Sequence, residues 1–158
     1  MANTLANYNA SYIATTPSIF LNNLKVALIL YAGGIFFAIP SVINLTLNGL
    51  FLGYFFSKVQ VPVGIYALCI LPHSIFELPA YFVAFSGGLR ITSTIINIII
   101  SIIKKTSVSR HYWGFNDSIA LFAISVVLLL IAAVIEANIS LVWGNYILTA
   151  LHMNIHII

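Results

Sequence analysis

Charge is what this chain has least of. Its 158 residues include six Lys or Arg and three Asp or Glu, 6% in all, where an ordinary soluble domain carries about 25%. So few charges cannot cover a soluble core, which excludes a water-soluble enzyme domain. Disorder is excluded from the other side, because 61% of the residues are hydrophobic and disordered chains need low hydrophobicity and high charge. The six cations never gather into the basic stripe that phosphate recognition requires, so nucleic acid is excluded as a partner. Cys69 is the single cysteine. It allows no intrachain disulfide and no cysteine-based zinc site, and it reads as a small buried hydrophobe. Also missing are a Gly-rich phosphate loop, a His-Glu-x-x-His pair and a Ser in a strand–turn–helix elbow. The chain is therefore not expected to be an enzyme, and neither a metal nor a cofactor is expected. An integral membrane protein remains.

Apolar runs of the length that crosses a bilayer, about 20 residues, are what the chain does have. Residues 1–17 read as a polar N-terminal arm, without the basic start or apolar core of a signal peptide. Residues 18–140 read as a transmembrane helical domain and 141–158 as an amphipathic C-terminal segment. The expected fold is all-α and polytopic, with about five transmembrane helices plus a C-terminal amphipathic or sixth helix. The spans are Ser18–Ile39, closed by Pro40, then Ser41–Ser57, Pro62–Phe85 and Leu89–Ile103, with Gly87–Gly88 turning the chain between the last two. After the polar loop 104–116, Asp117–Ser118 caps a fifth span that runs to Asn138. Apolar side chains at 139, 142, 143, 146, 147, 150 and 151 then form a helical stripe, broken by Asn145, His152 and His156, that suits an interfacial helix. Five crossings place Lys25, Lys58, Lys104, Lys105 and Arg110 on one side and Arg90 on the other. That sorting puts the N-terminus in the cytoplasm.

Ionisable residues inside such runs are costly and point to function. His73 and Glu77 stand four apart and share a helical face. Pro72 fits the first position of a helix, so the third span is expected to bend or split there, with Glu77 near a positive helix end and facing protein. Three readings stay open for this pair: a proton or ion site, a metal site needing ligands from elsewhere, or a packing pair in which Glu77 is neutral or bonded to His73 or Arg90. A His-x-x-x-Glu pair alone supplies two ligands, too few for a zinc site. Glu136 is expected to snorkel or to face Arg90. Asn22, Asn23, Asn44, Asn48 and Asn97 are expected to hydrogen-bond across helices, and Gly49-x-x-x-Gly53 to pack inside the chain in preference to forming a homodimer.

Three stretches together carry a resemblance. Residues 20–55 hold an Asn-Asn pair, a Gly-bearing first span, an Asn-Gly and a further Gly. Residues 70–90, ILPHSIFELPAYFVAFSGGLR, hold Leu-Pro-His, Glu-Leu-Pro-Ala and a Gly-Leu pair, and Glu136 ends the last span. In these features residues 18–140 resemble the stage II sporulation protein M family, with Ser74 departing where the family usually has Gly. The matching positions are Asn22, Asn23, Asn48, Gly49, His73, Glu77, Pro79, Gly88 and Glu136. Helix-packing roles are expected for Asn22, Asn23, Asn48, Gly49, Gly53, Pro72, Pro79 and Gly88. The family's sporulation member is an inner-membrane subunit that joins a cell-wall hydrolase and a third membrane partner during engulfment. The resemblance thus implies a non-catalytic scaffold in the plasma membrane of a prokaryote. Its partners would be membrane lipid and other membrane protein subunits, with a homo-oligomer left open. The alternative is a small transporter or proton-conducting component using His73 and Glu77.

Overall fold

A computed structural model describes residues 2–58 and 62–150. Among them the architecture is helical throughout: α1 (Ala2–Ala32), a 3-10 turn at Gly33–Phe36, α2 (Ile39–Lys58), α3 (Val63–Ile103), a second 3-10 turn at Ser109–Tyr112, α4 (Trp113–Ile135), a π-helical turn at Glu136–Ser140, and α5 (Leu141–Ala150). Among the described residues, four helical segments are long and apolar enough to cross a membrane: Thr16–Phe36, Ile39–Lys58, Val63–Ile103 and Trp113–Ser140. The protein is a polytopic all-α membrane protein. His152 and His156 lie outside the described residues.

The main departure from the sequence reading is at Gly87–Gly88. The chain does not turn there, and α3 continues for 41 residues, about 60 Å at 1.5 Å per residue. Among the described residues no glycine has a positive φ. The two glycines serve close approach instead: a Cβ on Gly88 would sit 2.5 Å from the Leu30 carbonyl oxygen, and one on Gly87 3.1 Å from the Tyr31 ring. The left-handed conformations belong to Phe37 and Ala38, at the corner between α1 and α2, and to Lys105 after α3. With α3 unbroken, the 104–116 loop lies at the opposite end of one helix from Val63. Lys58 then precedes the start of α3 while Lys104 and Lys105 follow its end, so the five-to-one sorting of cations no longer follows from the helix order.

α3 is not split at Pro72, since the helix runs through both Pro72 and Pro79. A helical proline leaves the carbonyl four residues earlier without its amide donor. For Pro72 that carbonyl is Leu68, and the Trp143 indole N–H donates to it at 2.9 Å. A neighbouring helix thus supplies the bond that the proline removes.

α4, the π-turn and α5 run antiparallel along α3, and hydrogen bonds mark their register. Ser118 donates to the Gly87 carbonyl at 2.8 Å and Ser125 to that of Ala80 at 2.8 Å. Nearer α5 come the His73–Ser140 contact and then the Trp143–Leu68 bond. The core between α1, α3 and α4 is built from Ala27, Leu30, Ala80, Ala84 and Leu129. Small residues let the backbones approach, which is how helices associate where lipid removes the hydrophobic drive. At one end Arg90 and Asp117 pair at 2.7 Å, level with the α1–α2 corner, where Thr92 donates to the Gly34 carbonyl at 2.7 Å. At the other end Lys58 lies over the Tyr54 ring, Tyr66 meets Phe55 and Phe56, and Trp143 stacks on Tyr146, aromatic residues of the kind that line interfacial belts. Between these levels α2 spans 20 residues, about 30 Å, the thickness of a hydrocarbon core. Beyond Arg90, the rest of α3 and the loop after it project past the corner as a hairpin tip.

Candidate functional site

The helix register assembles one ionisable cluster. His73 and Glu77 share a face of α3, and the π-turn presents Glu136 and Ser140 opposite them. One ligand-type atom from each of His73, Glu77 and Glu136 lies within 4.8 Å of the others. His73 Nδ1 and Ser140 Oγ share a hydrogen bond of 2.9 Å, and the Tyr81 hydroxyl donates to Glu77 Oε1 at 2.8 Å. His73 Nε2 stands 4.0 Å from Glu77 Oε2, with side chains 13% and 20% exposed. The cluster therefore lies at membrane depth, mostly shielded and open on one flank.

Glu136 does not meet Arg90. Asp117 takes that partner, because the antiparallel register puts the start of α4 beside Arg90 and its far end beside His73. The π-turn completes the arrangement. Its wider winding accommodates one extra residue, a feature frequent at functional sites, and here it falls on Glu136–Ser140. Tyr81 and Ser140 are members that sequence reasoning missed. Tyr81 is four residues beyond Glu77, so the helical periodicity that paired His73 with Glu77 also pointed to it. Ser140 had no comparable signal.

The other singled-out residues are scattered. Asn23 is buried and Asn22 exposed in α1, Pro72 is half-buried and Pro79 exposed in α3, and Gly88 is buried against α1. Ser74 spends its hydroxyl on the Ile70 carbonyl at 2.9 Å. Asn97 is exposed on the projecting part of α3. Gly49 and Gly53 do not pack inside the chain. A Cβ added at either meets no atom within 4 Å. Beside them on exposed α2, the Asn48 amide donates to the Asn44 carbonyl oxygens of backbone and side chain at 2.9 and 3.0 Å.

Fold and cluster together define a polytopic helical membrane protein with a half-buried histidine–carboxylate group between two of its helices. The chain belongs to the stage II sporulation protein M family, whose profile matches residues 2–141. It is similar to two uncharacterised proteins of Methanocaldococcus jannaschii. MJ0793 is 32% identical over 148 residues, which cover 92% of this chain and 82% of the relative. MJ0706 is 31% identical over 123 residues, covering 78% of this chain and 54% of the relative. No solved structure matches significantly.

Proposed function

We propose that the protein is a non-catalytic membrane subunit that packs with, or scaffolds, other membrane proteins in a larger complex. The observation that carries this reading is the state of α2. Of its residues only Ser41 is buried, and past Ser41 the helix presents Thr46, Asn48, Gly49 and Gly53 outward. Lipid gains nothing from an amide or a bare glycine backbone, whereas a partner helix gains both a hydrogen-bond acceptor and a close approach. The family and its archaeal relatives support the cell membrane of a prokaryote as the address. The three cations of the 104–110 segment, against Lys58 alone at the opposite loop, support a cytoplasmic hairpin tip.

A Gly49→Leu/Gly53→Leu double variant tests the reading. Open space at both positions means that the chain itself should fold as before. Affinity purification from the native membrane, followed by mass spectrometry, should recover fewer membrane partners with the variant than with the wild type. Equal recovery removes α2 as the contact face and the reading with it. A second reading, a small transporter or proton-conducting component, draws on the junction of His73, Glu77 and Glu136. It takes precedence if the chain, reconstituted alone in vesicles, dissipates an imposed proton or ion gradient.

A further inference from the structure

We propose that His73, Glu77 and Glu136 bind one divalent transition-metal ion of the zinc class, which ties α3 to the π-turn. The proposal does not depend on the partner reading above. The three donor atoms lie within 4.8 Å of one another. Ligands about 2.0–2.2 Å from a tetrahedral zinc stand roughly 3.4 Å apart, so side-chain rotations that move the atoms by about an ångström close the set. Two donors come from one helical face at a spacing of four and the third from the facing helix, the way metal sites are built between packed helices.

The groups around the donors are arranged as supports. Ser140 engages Nδ1 of His73 and leaves Nε2, the nitrogen that stands 4.0 Å from Glu77 Oε2. Tyr81 occupies the other oxygen of the same carboxylate. Each of these two residues thus has one atom fixed by a neighbour and the other available to a common point. Metal-ligating histidines and carboxylates are oriented in this manner.

Charge supports the same conclusion. Glu77 and Glu136 bring two carboxylates together at membrane depth, and among the described residues neither pairs with Lys or Arg, since Arg90 is engaged by Asp117. Such a pair needs a cation or a shared proton. The imidazole at the third corner adds a nitrogen ligand that a bound cation can use. It also selects the kind of ion: magnesium and calcium prefer oxygen alone, while imidazole suits zinc, iron, nickel and copper. Three protein ligands leave a coordination position for water on the flank where Glu77 is 20% exposed.

The test takes the full chain in detergent, strips it with a chelator and titrates it with Co²⁺, whose tetrahedral complexes absorb visible light. One Co²⁺ bound per chain and displaced by Zn²⁺ is the expected result, with the absorption lost in Glu136→Gln and in His73→Gln. Helical circular dichroism and size-exclusion profiles report whether those variants are folded. Ser140→Ala removes only the support of His73 and is expected to weaken binding about 10–100-fold without abolishing it. The proposal is overturned by a wild-type chain that takes up no stoichiometric Co²⁺ or Zn²⁺, which would leave the carboxylates sharing a proton. It is overturned equally by a folded Glu136→Gln chain that binds as well as wild type. Partner recovery is a separate measurement, so either reading can fail while the other stands.

Discussion

Two glycine pairs in this chain look alike on paper and do opposite things. Gly87 and Gly88 lie against the α1 backbone, while Gly49 and Gly53 look out from α2 over open space. Replacing Gly88 with Ala pushes a methyl group to 2.5 Å from the Leu30 carbonyl oxygen, a backbone atom that cannot swing aside. The substitution should destabilise the chain by about 1–3 kcal/mol, the usual cost of overpacking. Gly53→Ala should do the reverse, gaining up to about 1 kcal/mol of helix propensity with nothing to clash against. Thermal unfolding of both variants in the same detergent checks the opposite signs, and a stable Gly88→Ala chain would refute the tight α1–α3 contact. The sequence cannot separate the two uses of glycine. A Gly-Gly pair permits both a turn and a close approach, and only φ and the neighbour decide which is used.

Among the elements, α3 depends most on its neighbours. Its proline at position 72 is tolerated because Trp143, from a different helix, donates to Leu68. Trp143→Phe keeps the ring and loses the donor, and should cost about 1 kcal/mol. In a Pro72→Ala background the restored amide at position 72 takes the Leu68 carbonyl, so the same Trp143→Phe change should cost measurably less. A double-mutant cycle reads this coupling directly, and additive effects would show that the indole serves some other purpose. The apolar runs, their helical state and the His73–Glu77 face were all legible from spacing and composition. The arrival of Glu136 at that face was not, because it depends on the antiparallel register of α3 with α4 and on a π-turn that leaves no compositional mark. Arg90 was misassigned for a related reason. The imagined turn at Gly87–Gly88 moved it to the side of Glu136, and the continuous helix sets it beside Asp117.

At the scale of the molecule, one unbroken α3 changes the path through the bilayer. Five crossings would put the 59–61 connection and the 104–109 segment on the same side, whereas four put them on opposite sides. Single cysteines introduced at position 60 and at position 107, in a Cys69→Ser background, should react with a membrane-impermeant reagent from opposite faces of sealed vesicles. Reaction of both from one face would restore the fifth crossing. The apolar belt and the Arg90–Asp117 level also set how far the hairpin tip extends. Ile99, Ile102, Ile103 and Trp113 are exposed on it, beyond the Arg90–Asp117 pair.

The π-turn gives chain length a meaning here that it lacks in a loop. A surface loop absorbs an added or missing residue by changing its arc. Along a helix, each residue carries about 100° of rotation, so removing one codon between Glu136 and Ser140 would turn all of α5 by that angle. Trp143 would swing away from Leu68 and Ser140 away from His73 together. The proline bridge and the histidine support thus share a single phase, and a one-residue deletion in a stretch without charge beyond Glu136 would undo both at once.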